Sequence, residues 1–159
     1  MSVVDVIDEQ DEMKKHMWDR IVLWPRQWQK YQTSIVYKWQ IHQLISAKRS
    51  HIPNKPGIYT ILVQPKIFNH PACSYLMYVG KTTSLKRRFY QYLDEKKREN
   101  GRPKILRLLN KYPDHTWFCF TVMPEQEISI AEDTLLSAYI PPCNDKFPAS
   151  ISRVVDAFS

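Results

Sequence analysis

Arg88 and Tyr92 stand four residues apart, so on a helix they share one face. Leu85 and Phe89 lie close to that face and turn it towards a core. An arginine directed inward is costly unless it meets an anion, either a carboxylate of the chain or a ligand. Glu132 poses the matching question. It sits inside the apolar stripe Ile128, Ala131, Leu135, Leu136 and Tyr139. A glutamate in that position is protonated, paired or bound to a metal. Pairing with Arg88 is the simplest structural answer, and Asp133, one step round the helix, is expected to be solvated. Two phenols, Tyr59 and Tyr78, lie in short apolar runs, and Lys81 closely follows the second. No Ser–His–Asp or Cys–His grouping accompanies them. One carboxylate for a metal, cations for an anion, and phenols that those cations favour as phenolate suit metal-assisted attack on a phosphodiester.

The elements that position these groups are readable around the glycines. The chain has only three, and two of them bound the triplets Gly57-Ile58-Tyr59 and Tyr78-Val79-Gly80; Gly101 lies in a polar loop. Glycine serves where backbone takes a positive φ or approaches something closely. The triplets read as two paired strands that present phenols at one place. Residues 57–64 are apolar in both parities, which predicts a strand buried on both faces, and Pro65 stops it. The second strand covers 75–79. The intervening segment, with Asn69 and His70 at its tip, is too long for a two-residue turn, and an antiparallel hairpin is the simplest connection.

A helix is predicted from Ser84, with Thr82, Thr83 and Ser84 as caps and Leu85, Phe89, Tyr92 and Leu93 as its buried stripe. Gly101 and Pro103 restart the chain as a second helix carrying Ile105, Leu108, Leu109 and Tyr112. Residues 117–122 form a β-prone run. A last helix over 128–140 is halted by Pro141 and Pro142, and the tail holds a short apolar piece at 151–158. Upstream, residues 1–12 are acidic and expected to fray. Residues 13–46 read as two helices, 12–23 and 26–47, divided at Pro25, with Ile35, Trp39, His42 and Ile45 as a stripe. Four of the five tryptophans lie there, as expected of an extension cemented onto a domain. The organisation predicted is a helical extension, 1–50, on an α+β domain, 51–159. That domain has a three-stranded antiparallel sheet in the order β-β-α-α-β-α.

A chain of 159 residues, 43% hydrophobic and 25% charged, suits one compact domain with an extension. It has no apolar run long enough to span a bilayer, so no membrane partner is expected, and its acidic start is unlike a secretory signal. Cys73, Cys119 and Cys143 are widely spaced and form no CxxC pair, which fits reduced thiols in the cytoplasm and gives no zinc site. The net charge is +7, and its placement is more informative than its size. Between Lys81 and Lys111 eleven Lys/Arg face three acidic residues, a local excess of +8. Lys86, Arg87, Lys96, Lys97, Arg98, Arg102, Lys104 and Arg107 are thus candidates for contact with a polyanion, a solvated helical face being the plainer reading.

The two triplets, followed by Arg88 eight residues after Gly80 and Tyr92 four later, resemble the signature of the GIY-YIG nuclease superfamily. Lys81 directly after the glycine is similar to the excision-repair, UvrC-type branch. Glu132 on the last helix of the core matches the family's metal-binding glutamate, and Asn144 after Pro141-Pro142 matches its closing asparagine. The resemblance covers about residues 56–146. It implies a DNA endonuclease, with double-stranded DNA as partner and Mg²⁺ or Mn²⁺ on Glu132. Tyr59 or Tyr78 activates water, Arg88 and Lys81 stabilise the phosphate, Tyr92 orients it, and Asn144 supports the site. A non-catalytic nucleic-acid-binding module that keeps the fold is the competing reading. Restriction or phage defence, a mobile element and repair all fit the nuclease reading. Cutting both strands with one active site requires a homodimer or successive nicks.

Overall fold

A computed structural model describes residues 3–18, 20–30, 35–65, 70, 72–98 and 101–157. Four strands form one antiparallel sheet: β1 (Gln40–Gln43), β2 (Gly57–Val63), β3 (Tyr75–Thr82) and β4 (Thr116–Val122). Their order is β1-β4-β2-β3, so β2 is central and β3 is an edge strand. The helices are α1 (Val3–Lys15), α2 (Pro25–Gln29), α3 (Leu85–Arg98), α4 (Pro103–Lys111), α5 (Ile128–Tyr139) and α6 (Ala149–Asp156). None of the described helices is long and apolar enough to cross a membrane.

The double-sided apolarity of β2 is the organising fact. In the β2–β3 pair Tyr59 opposes Gly80 and Ile61 opposes Tyr78, while Ile58 opposes Lys81 and Thr60 opposes Val79. Alternation along a strand therefore sends the two tyrosines to one face and Lys81 to the other. On the first face Tyr59, Ile61 and Tyr78 pack with Leu85, Phe89 and Tyr92 of α3, Ile105 and Leu108 of α4, and Phe118 and Phe120 of β4. On the second, Ile58 and Val79 pack with Ala131, Leu135 and Leu136 of α5. The stripe read along α3 (Leu85, Phe89, Tyr92, Leu93) is the set that is buried. The hairpin is antiparallel as expected, with a register shift between Ile61 and Leu62. Of its tip, His70 is described and Asn69 lies outside the described residues.

Two of the glycines are used for close approach. A Cβ on Gly80 would overlap the Tyr59 hydroxyl and lie 2.6 Å from Tyr59 Cζ. A Cβ on Gly57 would overlap the Thr121 carbonyl oxygen and lie 2.9 Å from Leu85 Cδ1. The Tyr59 ring can lie over β3 only because Gly80 carries no side chain, and the bare Gly57 lets β4 and Leu85 approach β2. Gly101 is the described glycine that adopts a positive φ, +145°.

The extension differs from the expectation of two helices over 12–23 and 26–47. The first helix begins inside the acidic stretch expected to fray and ends at Lys15. Asp5 in its first turn and Lys14 and Lys15 in its last complement the helix dipole. Asp11–Lys14 and Glu12–Lys15 add exposed pairs along its side. The second helix is only the five residues of α2, with Pro25 at its start. Residues 31–34 lie outside the described residues. The remainder, including Ile35, Trp39, His42 and Ile45, is extended or turn, and Gln40–Gln43 is a strand. The cause is tertiary. Without β1, strand β4 would present an open edge; Gln40, Ile41, His42 and Gln43 pair in register with Phe120, Cys119, Phe118 and Trp117. Hydrogen bonds from Lys38 N–H to Thr121 Oγ1 and from Leu44 N–H to the Thr116 carbonyl extend the pairing. A row of unpaired ladder groups outweighs a weak helical periodicity. The sheet therefore has four strands rather than three, the fourth supplied by the extension.

The rest of the extension is clamped to the core as expected. Trp18 Nε1–H donates to the Tyr112 hydroxyl at 3.2 Å, and Trp28 Nε1–H donates to the Ala138 carbonyl at 2.8 Å. Beyond α5, Ile140 takes a left-handed conformation, φ 45°. This is costly for a β-branched residue. Its side chain is held among Ile151 and Val155 of α6, and Pro141 follows directly. The turn so enforced brings Asn144 back against β3.

Candidate active site

The site is built round the edge strand β3 and draws on both faces of the sheet. On the α3 side the three phenols meet. The Tyr59 and Tyr92 hydroxyls are 2.8 Å apart. Tyr59 is 1% exposed, and its ring stacks on Phe118 with centroids 5.0 Å apart. Arg102, in the loop before α4, donates from one guanidinium nitrogen to the Tyr78 hydroxyl at 2.6 Å and from another to the Tyr92 hydroxyl at 3.1 Å. Its guanidinium lies 4.7 Å from the centre of the Tyr78 ring.

Arg88 is half-buried beside this cluster, and its Nε is a buried donor without a hydrogen-bond partner. Its charge acts on Tyr59, Tyr92 and Glu95. The expected Arg88–Glu132 pair is not formed, because α3 and α5 lie on opposite faces of the sheet. Glu132 instead meets Lys81, whose Nζ lies 3.0 Å from Oε2 and also 3.2 Å from Ser129 Oγ. The side chains are 41% exposed for Lys81 and 18% for Glu132, so this ion pair remains within reach of solvent.

Asn144 ties the two halves together. Its side-chain amide donates to the Val79 carbonyl at 2.8 Å and its Oδ1 accepts from Val79 N–H at 3.0 Å. This is what a neighbouring strand would supply, and it covers the edge of β3 at the point where the site is built. Cys143 N–H donates to the Met77 carbonyl at 2.9 Å and continues the same pairing.

A cleft of about 470 Å³ opens here, lined by Tyr78, Arg102, Glu132 and Asn144 together with Asp133, Asp145 and Lys146. Tyr59 and Tyr92 do not line it. Burial holds Tyr59 well above the ordinary phenol range, with Tyr92 and Tyr78 adding to the effect and Arg88 opposing it. Burial likewise raises Tyr92, against the pull of the Tyr59 hydrogen bond and of Arg102 and Arg88. Both stay protonated at neutral pH. For Arg102 burial alone would lower the pKa, but the hydrogen bond it donates to Tyr78 and the surrounding phenols raise it overall, so it remains a cation.

The structure thus brings Tyr59, Tyr78, Arg88 and Tyr92 together on one face, with Lys81 and Glu132 on the other and Asn144, from the loop after α5, on the edge of β3 between them. The basic residues expected to meet a polyanion are dispersed. Arg102, itself exposed, caps the tyrosine cluster from the solvent side, a position no helical periodicity signals because it follows a loop glycine. Lys104 is paired with Asp145 at 2.6 Å. Lys96 Nζ reaches the Pro113 carbonyl at 3.4 Å. Arg107 stacks on Trp18 at 4.3 Å and donates to the carbonyls of Lys15 and Met17 at 2.9 and 2.8 Å, so it grips the extension. Lys86 lies near the Tyr90 ring, and Arg87 donates to Thr83 Oγ1. Lys97 and Arg98 are exposed at the end of α3.

No family model matches the chain. The sequence is 33% identical over 95 residues to UvrABC system protein C of Bacteroides fragilis, an alignment that covers 60% of this chain and 14% of that protein. The chain therefore matches only a small part of the length of these curated relatives. The resemblance is to the GIY-YIG nucleases. Among solved structures, the GIY-YIG N-terminal endonuclease domain of UvrC from Thermotoga maritima, as a point mutant bound to its catalytic divalent cation, is 25% identical with a TM-score of 0.44. That alignment covers 63% of this chain and 93% of the domain. The same domain bound to magnesium is 26% identical with a TM-score of 0.42, covering 62% of this chain and 92% of the domain.

The donor set of the cleft suits a hard divalent cation. Among the described residues no cluster of three or more His, Cys, Asp or Glu is available to hold a metal. Glu132, in the cleft and partly exposed, is the carboxylate that meets the site. Asp133 and Asp145 line the same cleft, Asp145 paired with Lys104, and among the described residues no His or Cys lines it. Carboxylate oxygens without nitrogen or sulfur donors fit magnesium, which takes oxygen ligands and retains several waters, better than zinc.

Proposed function

We propose that this chain is a divalent-metal-dependent DNA endonuclease that hydrolyses phosphodiester bonds. The observation that carries the reading is the cleft on β3, which brings Glu132, flanked by Asp133 and Asp145, together with the Tyr78 phenol and the cations Arg102, Lys146 and Lys81. Glu132 would hold Mg²⁺ or Mn²⁺. When bound, the metal neutralises phosphate charge and assists the leaving 3′ oxygen.

The chain's own residues divide the remaining tasks. Tyr78, the cleft-lining phenol, is the general base that takes a proton from water. The water oxygen bonds to phosphorus, the P–O3′ bond breaks, and the ends are a 5′-phosphate and a 3′-hydroxyl that takes its proton from solvent. Tyr59, buried and held protonated, is unsuited to that role and instead braces Tyr92. Arg88 and Lys81 stabilise charge on the phosphate, Tyr92 orients it, and Asn144 fixes the strand that carries Tyr78. Lys86, Arg87, Lys97 and Arg98 are placed to meet the backbone of double-stranded DNA. A DNA substrate and the free thiols of Cys73, Cys119 and Cys143 support a cytoplasmic setting.

The test is nicking of supercoiled plasmid with Mg²⁺ and with Mn²⁺ by wild type, Glu132→Ala and Tyr78→Phe. Wild type is expected to nick, and each variant to lose at least about a hundredfold, the scale of a removed acid–base or electrostatic group. Glu132→Ala should also lose Mn²⁺ binding measured by electron paramagnetic resonance. Wild type that binds plasmid but never nicks it sinks the nuclease reading and leaves a nucleic-acid-binding module.

A further inference from the structure

We propose that a second surface, apart from the cleft, binds the phosphate backbone of duplex DNA: it is built by Lys48, Arg49, His51 and Lys55 together with Lys86 and Arg87 at the start of α3. The proposal extends the nuclease reading, from which it takes the identity of the polyanion. Its first ground is how charge is divided along the chain. From Arg20 to Leu93, a run of 74 residues, there are twelve Lys/Arg and no Asp or Glu. The remaining residues, with eleven Lys/Arg against sixteen Asp/Glu, carry a net charge of −5. A surface that serves solubility alone mixes both signs. A stretch that omits carboxylates over nearly half the chain keeps its cations for an anion.

The fold gathers part of this stretch on one face. A short 3₁₀ helix, Ser46–His51, follows β1 and leads into the loop 53–55. Arg49 stacks on Tyr90 of α3 at 4.9 Å, and Lys86 approaches the same ring at 6.0 Å. Cation–π contact holds a cation in place without neutralising it. Arg49 Nε is a buried donor without a hydrogen-bond partner. The loop is fixed to the first turn of α3. Leu85 N–H donates to the Lys55 carbonyl at 2.9 Å, Lys86 N–H to the Pro53 carbonyl at 3.1 Å, and the Ser84 hydroxyl to Asn54 Oδ1 at 2.6 Å. Those amides are thereby satisfied, so a phosphate here is met by side chains and not by the helix end. On the other side, the His51 ring lies 5.1 Å from that of His42 on β1. Besides burial, the groups that act on His42 are His51 and Lys48, both basic. Among the described residues no ion pair reaches any of the six side chains of this surface, whereas Lys14, Lys15, Lys81 and Lys104 all have carboxylate partners.

This surface sits on the α3 face of the sheet at its β1 edge, because His42 stacks on Phe120, which lies in the core beneath α3. The cleft lies at the opposite edge, on β3. β1 and β3 are three strand steps apart, about 14 Å. The major groove of duplex DNA is about 12 Å wide, so one duplex can touch both places.

The experiment is lysine footprinting of the full chain with an amine-reactive acetylating reagent, read by mass spectrometry with and without a saturating DNA duplex, in EDTA so that the duplex stays intact. Lys48, Lys55 and Lys86 are expected to lose most of their reactivity when the duplex is bound, while Lys14 and Lys15 keep theirs. A second measurement separates placement from net charge. The double variant Lys48→Ala, Lys55→Ala should make the slope of log K against log salt concentration shallower by nearly two, at about 0.9 for each phosphate contact. The double variant Lys14→Ala, Lys15→Ala removes the same charge and should leave the slope unchanged. Lys48 and Lys55 that stay reactive with duplex bound, or equal slopes for the two double variants, overturn the proposal. Protection by duplex RNA but not by duplex DNA overturns the choice of partner. A wild type that fails to nick plasmid while Lys48 and Lys55 are protected overturns the nuclease reading and leaves this surface standing.

Discussion

At the scale of single residues, one glycine decides where the phenols can sit. Gly80 lies beneath the Tyr59 ring, and Tyr59 in turn braces Tyr92 and leaves Tyr78 to the cleft. Gly80→Ala therefore forces Tyr59 off its position on Phe118. Overpacking of this kind costs about 1–3 kcal/mol, visible as a lower urea midpoint at unchanged m-value. Tyr59→Leu in the same background removes the ring that the methyl would strike and should recover part of the loss. Equal midpoints for wild type and Gly80→Ala would refute the crowding argument. The sequence showed that glycine was concentrated at these triplets and that close approach was one reason for it. Which atoms approach was not legible, since that depends on strand register. The same limit explains Glu132. Its position in an apolar stripe marked it as a residue needing a partner, but the partner follows from which face of the sheet each helix covers. Arg88 and Glu132 are inward on helices that never meet, so Lys81, on the α5 face of β3, takes the place expected of Arg88.

At the scale of elements, the core of the sheet and its three principal helices were written in short-range pattern. β2 is apolar in both parities, and α3, α4 and α5 have continuous apolar stripes. β1 was not, because Gln40–Gln43 carries no strand signal of its own and is recruited by the open edge of β4. Arg102 was missed for a similar reason: it was grouped with the surrounding basic residues, and only its place beyond Gly101 sends it to the phenols. The difference between α1 and β1 can be tested by truncation. The described side chains of α1 are exposed along its length, whereas β1 covers a sheet edge and Leu44 beside it is 1% exposed. Deleting residues 1–15 should leave a soluble, monodisperse protein. Deleting 1–50 should leave β4 unpaired and give insoluble protein, because an uncovered apolar edge templates aggregation. Size-exclusion chromatography of the two truncations separates these outcomes, and a soluble, active 51–159 fragment would contradict the role given to β1.

At the scale of the whole molecule, the excess of positive charge does two different jobs. The +7 net charge was read from sequence as one basic face behind the triplets. In the fold, Arg107 is spent on the extension, Lys104 on Asp145 and Arg102 on the phenols, while Lys97 and Arg98 remain exposed at the end of α3. These roles predict different salt dependences of DNA binding. Each phosphate contact contributes about −0.9 to the slope of log K against log salt concentration on duplex DNA. Replacing Lys97 and Arg98 together by alanine should make the slope shallower by nearly two and weaken binding to every duplex sequence alike. Arg107→Ala should leave the slope unchanged and instead lower the thermal midpoint, since it loses the stacking on Trp18 and two backbone hydrogen bonds. Fluorescence anisotropy on a labelled duplex, run with Glu132→Ala so that the DNA stays intact, gives the slopes. A Lys97/Arg98 double variant with the wild-type slope, or an Arg107→Ala slope as shallow as the double variant's, would show that charge and not placement sets the DNA interface.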